Sequence, residues 1–192
     1  MNSDFGSREI AARLYNDALD HIDVGDLTSA AGSLKIAVLL DKKSNEYAAL
    51  LGLCYFALGN FQNAGSCWEQ KHTEDSDYLQ LINSSDFKDY AESYDRCIDL
   101  IGENKILKAF TVLDKCKSKV PNVTGYNLLG LLSYDLGMSK NAIDMWKKAL
   151  EINNADKDAV KYILDCRRRV IPTVLERIYR GAIKFAGKIG LL

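Results

Sequence analysis

Apolar side chains recur at steps of three and four through most of this chain, the spacing that lines one side of a helix. The helical runs are punctuated at Gly25, Gly59 and Gly137, each followed five residues later by an alanine, Ala30, Ala64 and Ala142. Four residues beyond each alanine stands a large apolar side chain: Leu34, Trp68 and Trp146. The first two copies lie 34 residues apart, and the third lies 78 further on, room for two periods and ten extra residues. A degenerate copy fills that space, with Asn104 in the glycine position, then Ala109, Leu113 and Pro121. A fixed period of this length marks an array of like units, each a pair of helices.

Each recurring residue has a mechanical role. Glycine or asparagine takes the left-handed conformation that stops one helix and lets the next begin. A small alanine lets two helices approach closely, and the bulky residue one turn later fills the space that remains. Gly52 and Gly130 sit inside helical runs, where each costs about 1 kcal/mol against alanine. Close helix contact is the compensation expected there.

On these residues the chain resembles the tetratricopeptide repeat family. Ala48-x-x-Leu51-Gly52-x-x-Tyr55 followed by Ala64-x-x-x-Trp68 carries the resemblance. So does Tyr126-x-x-Leu129-Gly130-x-x-Ser133 followed by Ala142-x-x-x-Trp146, Ala149 and Leu150. It covers residues 7–169, strongly in two copies and weakly in two. The first copy has Asp17-Ala18 where Leu-Gly would stand and His21 where an aromatic would; the third has Arg96-Cys97. The resemblance implies an all-α fold, antiparallel helix pairs stacked as a short right-handed α-solenoid, over residues 1–170. The pairs expected are 7–24 with 27–40, 44–58 with 61–71, 86–102 with 105–118, and 123–136 with 139–151. A short helix near 76–83 takes up the ten-residue excess. Asp156 is placed to cap a packing helix over 157–170. Pro172 is placed to open a C-terminal amphipathic helix, 172–189, within a separate segment 171–192.

In this family the first helix of each pair lines a concave face that carries partner specificity. By resemblance that face holds Ala12, Tyr15, Leu19 and Ile22, then Glu46, Ala49, Leu53 and Phe56, then Thr124, Asn127, Leu131 and Tyr134. The lining is apolar and aromatic. Family members that clamp a C-terminal carboxylate use lysine, arginine and asparagine here. Asn127 alone matches that chemistry, so an amphipathic helix or an extended apolar peptide of a protein partner suits the groove better. The contact residues expected are Tyr15, Leu19, Ile22, Leu53, Phe56, Asn127, Leu131 and Tyr134. The alternative for any one of them is packing between helices.

Charge adds a second candidate. The chain holds 25 basic and 26 acidic residues, for a net charge of -1. Residues 167–192 carry seven of the basic residues and one acid, Glu176. An acidic body therefore precedes a basic tail. The tail's apolar residues, among them Ile178, Phe185 and Ile189, share one face. Arg169, Arg177, Arg180, Lys184 and Lys188 fall on the other. Three readings stand open for this stripe: a cap on the last repeat, a plug in the groove, or contact with an anionic membrane surface or a partner, including a second copy of the chain.

The remaining composition narrows the function classes. An overall charge near zero argues against nucleic acid as a partner. No secretory pattern opens the sequence, and no apolar run approaches the roughly 20 residues that span a bilayer. Five cysteines, with no CxxC pair, read as small buried hydrophobes in a reducing compartment. The expected location is cytoplasmic, with the tail as a basis for peripheral membrane attachment. Two histidines in different repeats, no glycine-rich phosphate loop and no calcium-loop spacing predict neither metal nor cofactor. The expected protein is a non-enzymatic scaffold.

Overall fold

The computed structural model describes residues 2–69 and 77–168. Ten helices fill them: α1 (Asn2–Asp23), α2 (Leu27–Leu40), α3 (Asn45–Leu58), α4 (Phe61–Glu69), α5 (Asp77–Asn83), α6 (Ser85–Gly102), α7 (Ile106–Cys116), α8 (Val123–Asp135), α9 (Ser139–Ile152) and α10 (Lys157–Arg168). The chain is all-helical and built of antiparallel pairs, as the repeat pattern requires. Most ends fall within one or two residues of the expected ones; α1 starts five residues early. The segment 171–192 lies outside the described residues.

Local chemistry sets the ends. Gly25, Gly59 and Gly137 all take positive φ, between 77° and 85°. Asn104 takes φ 58° in the equivalent position, so the degenerate third copy turns its chain in the same way. Side-chain caps start the helices: Asp26 accepts from the Ser29 amide at 2.9 Å, Ser84 from that of Phe87 at 3.1 Å, and Asn122 from that of Gly125 at 2.7 Å. Each cap satisfies an amide that the first helical turn leaves open. The Ser29 hydroxyl, helped by its amide, also holds the Asp26 carboxyl below its usual range.

One contact sets the spacing inside each pair. The pyrrole edge of the Trp68 indole lies against the backbone of α3 at Gly52, its Nε1 donating to the Ala49 carbonyl at 3.2 Å. Trp146 repeats this on α8, donating to the Asn127 carbonyl at 3.3 Å. A methyl group added at Gly52 or Gly130 would overlap the indole nitrogen. In the other two copies the position sixteen residues before the bulky one is Ala18 before Leu34 and Cys97 before Leu113, all fully buried. A larger first residue thus accompanies a smaller second one, which conserves volume at the contact.

The stacking has one discontinuity. Helices α1 to α4 pack in sequence around a core of Ala18, Ala30, Leu34, Leu51 and Cys54. Helices α6 to α10 do the same around a larger core centred on Leu113, Leu129, Leu132 and Trp146. Between them the short α5 is held by Tyr78 stacking on Trp68, centroids 5.8 Å apart. The two halves then meet end to end. The turns α1–α2 and α3–α4 of the first half face the starts of α6, α8 and α10 in the second. Phe56 and Phe61 pack on Phe87, with centroids 5.9 and 5.0 Å apart, and Phe61 packs on Tyr90 at 5.9 Å. Thr124 Oγ1 donates to the Leu58 carbonyl at 2.8 Å, and an added methyl at Gly59 would collide with Asn122 and Thr124.

The volume argument makes a prediction. Gly130→Ala should destabilise the protein by about 1–3 kcal/mol, the usual cost of overfilling a packed contact. Trp146→Leu should also destabilise it, through lost burial. The double variant restores the Ala/Leu pairing of the first copy, so it should be more stable than the sum of the two losses implies. Urea unfolding of the four proteins measures the coupling, and additive losses would refute the account.

Candidate functional site

The expected groove residues fall into two sets, one in each half. In the first half, Tyr15 on α1 reaches across to α3. Its hydroxyl donates to Glu46 Oε1 at 2.6 Å and its ring lies 4.9 Å from that of Tyr47. The carboxylate that accepts this bond favours the neutral phenol, and with some help from burial the Tyr15 pKa is raised to about 12. Leu19, one turn along α1, is 38% exposed. Leu53 on α3 is half-buried, and Ile22 packs against the first core. Leu19 and Glu46 are exposed, with Tyr15 and Tyr47 half-buried beside them and Tyr15 packed on the first core, so the four form a partly accessible aromatic and apolar strip with one carboxylate. Glu46 was placed on this face from the sequence without being counted among the contacts. Tyr47 was not placed there, because its neighbour occupies the position that the repeat spacing assigns to the groove.

Phe56 sits farther along α3 and takes a different part. It packs among Phe61, Trp68 and Phe87 and helps to join the two halves. Its burial there is the packing alternative, realised through an end-to-end contact that the repeat pattern does not encode.

In the second half the face of α8 is mostly closed. Leu131, expected as a contact, is 8% exposed and belongs to the larger core. The reason is that α8 is apolar nearly all round and touches α3, α7, α9 and α10, so little of it meets solvent. Tyr134 is half-buried against the same core. Asn127 donates through Nδ2 to Asp156 Oδ2 at 2.6 Å, while its Oδ1 is buried without a partner. Its amide is thus directed at a carboxylate of this chain. Asp156 meets that amide and also accepts from the Asp158 amide at 3.0 Å, consistent with its expected place at the start of α10.

The tail residues Arg169, Arg177, Ile178, Arg180, Lys184, Phe185, Lys188 and Ile189 lie outside the described residues. Among the described residues no helix is long and apolar enough to cross a membrane, and no group of three His, Cys, Asp or Glu side chains is placed to hold a metal. Cys54, Cys97, Cys116 and Cys166 are buried and Cys67 half-buried, all as free thiols. Burial pushes the thiol of Cys54 up to about 11 and that of Cys97 up to about 12, well above the range of a reactive thiolate.

Two asparagines with no motif to announce them make the longest-range hydrogen bonds among the described residues. Asn153 is 2% exposed; its Oδ1 accepts from the Leu27 amide at 3.1 Å and its Nδ2 donates to Thr28 Oγ1 at 2.9 Å. Asn154 donates its amide to the Gly25 carbonyl at 2.9 Å and its side chain to the Val24 carbonyl. These bonds join the turn after α1 to the loop after α9. Asparagine is common in any loop, so composition gave no sign of them.

Comparison with known proteins agrees with the repeat geometry. The tetratricopeptide repeat model matches residues 123–156, which take in α8, α9 and the loop to α10. No curated protein matches the sequence. Among solved structures, one titled "Crystal structure of MamA" is 25% identical and is matched over 74% of this chain and 77% of that one, with a TM-score of 0.32. That overlap is too loose to bear on function. The matched repeat has its glycine-on-indole contact at Gly130 and Trp146, and Gly52 and Trp68 reproduce it one half earlier. The chain thus carries a segment, residues 123–156, that matches the tetratricopeptide repeat.

Proposed function

We propose that the protein is a non-enzymatic scaffold that holds a protein partner, as an amphipathic helix or extended apolar peptide, on the inner face of its first two helix pairs. The observation that carries the reading is the partly accessible strip of Tyr15, Leu19 and Tyr47, with Leu53 beside it on α3. Side chains of this kind supply apolar contact area and aromatic anchors, and Glu46 adds a single acceptor that orients what binds. The face of α8 contributes less, because Leu131 is core and Asn127 is engaged by Asp156. A carboxylate-terminated peptide is disfavoured for the same reason: the one clamp-like amide already faces an acid.

A second reading concerns the basic tail. Seven basic residues against one acid over 167–192, with an apolar stripe opposite, support attachment to an anionic membrane surface. The repeats would then present a partner at that surface. The two readings are compatible, since they use different parts of the chain.

Two outcomes test them. Affinity capture from the cells that make the protein should recover a partner with the wild type. At least about tenfold less should come with Leu19→Glu, a loss of the size expected when a buried contact is replaced by an unpaired charge. Leu107→Glu, at an exposed site on α7, should capture normally; equal recovery by all three folded proteins would remove the strip from consideration. For the tail, flotation with phosphatidylserine-containing vesicles should carry the full chain and not a chain ending at Arg169, and added salt should release it. Equal flotation of both would rule the tail out as the anchor.

A further inference from the structure

The junction between the two halves is chemically uneven. On the side of α3 and α4 it is mainly apolar: Phe56 and Phe61 interlock with Phe87 and Tyr90, Tyr90 is 1% exposed, and one hydrogen bond, from Thr124 Oγ1 to the Leu58 carbonyl, crosses there. On the side of α1 and α2 it is made by hydrogen bonds from Asn153 and Asn154 to the turn at Val24–Thr28. The two sides answer differently to water. Separating interlocked aromatic rings exposes apolar surface. Opening a hydrogen-bonded contact lets water replace each lost partner, so the net cost per bond is small.

We infer that the contact of Asn153 and Asn154 with the α1–α2 turn is a latch, which opens while both halves stay folded and swing about the aromatic cluster. Closed, it sets the distance between the strip on α1 and α3 and the face of α8. Open, it frees the first pair to move. The inference goes beyond the partner-binding reading and does not need it, because the latch is defined within this chain.

Two backbone amides report on the latch from opposite sides. Leu27 is the first residue of α2, where a helix supplies no acceptor of its own, and its amide bonds Asn153 Oδ1. The Asn154 amide bonds the Gly25 carbonyl. Hydrogen exchange followed by NMR on the full chain reads both. In the wild type they should be protected to a similar degree, and less than the amides of Leu34 in α2 and Leu129 in α8, because the latch opens below the cost of unfolding. Asn153→Ala should cut the protection of Leu27 and Asn154 together, by roughly tenfold, one lost net hydrogen bond or more, and leave Leu34 and Leu129 unchanged. Thr28→Val removes a partner from the other side at an exposed position, and it should release the same two amides even if Asn153→Ala fails to fold. Protection of Leu27 and Asn154 equal to that of Leu34 and Leu129 in the wild type would overturn the inference. So would loss at all four positions together in Thr28→Val, which would make the contact part of the global fold.

Discussion

An indole edge set against the backbone of a neighbouring helix sets the geometry on which the rest of this molecule depends. Trp68 on α3 and Trp146 on α8 each occupy the space that a side chain at Gly52 or Gly130 would fill. The ring nitrogen then finds a backbone carbonyl, so burying it leaves no polar group unpaired. A tryptophan brings on the order of 200 Å² of surface into such a contact. The glycine therefore offsets its own cost in a helix by admitting a ring that no larger residue would allow. Where the glycine is replaced, as at Ala18 and Cys97, the ring gives way to leucine. Both solutions keep two helices packed at close range, and each pair can then be stacked on the next.

Stacking alone would give one continuous array with one continuous face. The described residues depart from that: α5 stands between α4 and α6, and the second half meets the first by its loops rather than its flanks. Glycine matters here for a second reason. The turns at Gly25 and Gly59 are low enough for Asn154, Asn122 and Thr124 to lie against their backbones. The end-to-end junction is thus built from the same turn residues that define the repeat. Its aromatic side belongs to the larger core, while its polar side is held by asparagine.

The consequence is a difference in exposure between inner helices that the repeat treats as equivalent. Helix α3 and helix α8 share the glycine motif, yet α8 is enclosed by four neighbours and Leu131 is core. The first pair, at the other end of the chain, keeps Leu19 exposed and Tyr15 half-buried. Position in the assembly, more than residue type, separates an exposed leucine from a core one. Leucine serves equally well as either, which is why Leu19 and Leu131 looked alike before folding.

By itself, the sequence determined the helices, their order and the contact within each pair. Those features rest on local rules: a left-handed residue at the turn inside each pair, side-chain caps at several helix starts, and small residues where two helices approach closely. Even the disguised third copy obeyed them, with Asn104 at φ 58° in place of glycine. Only the tertiary structure decided how the halves meet, that Phe56 joins them, that Leu131 is enclosed, and that Asn153 reaches Leu27 and Thr28 across more than a hundred residues. Contacts of that range bring together residues of different repeats. No periodic pattern encodes them, because periodicity fixes the neighbours within a pair, while these depend on how every pair packs on the next.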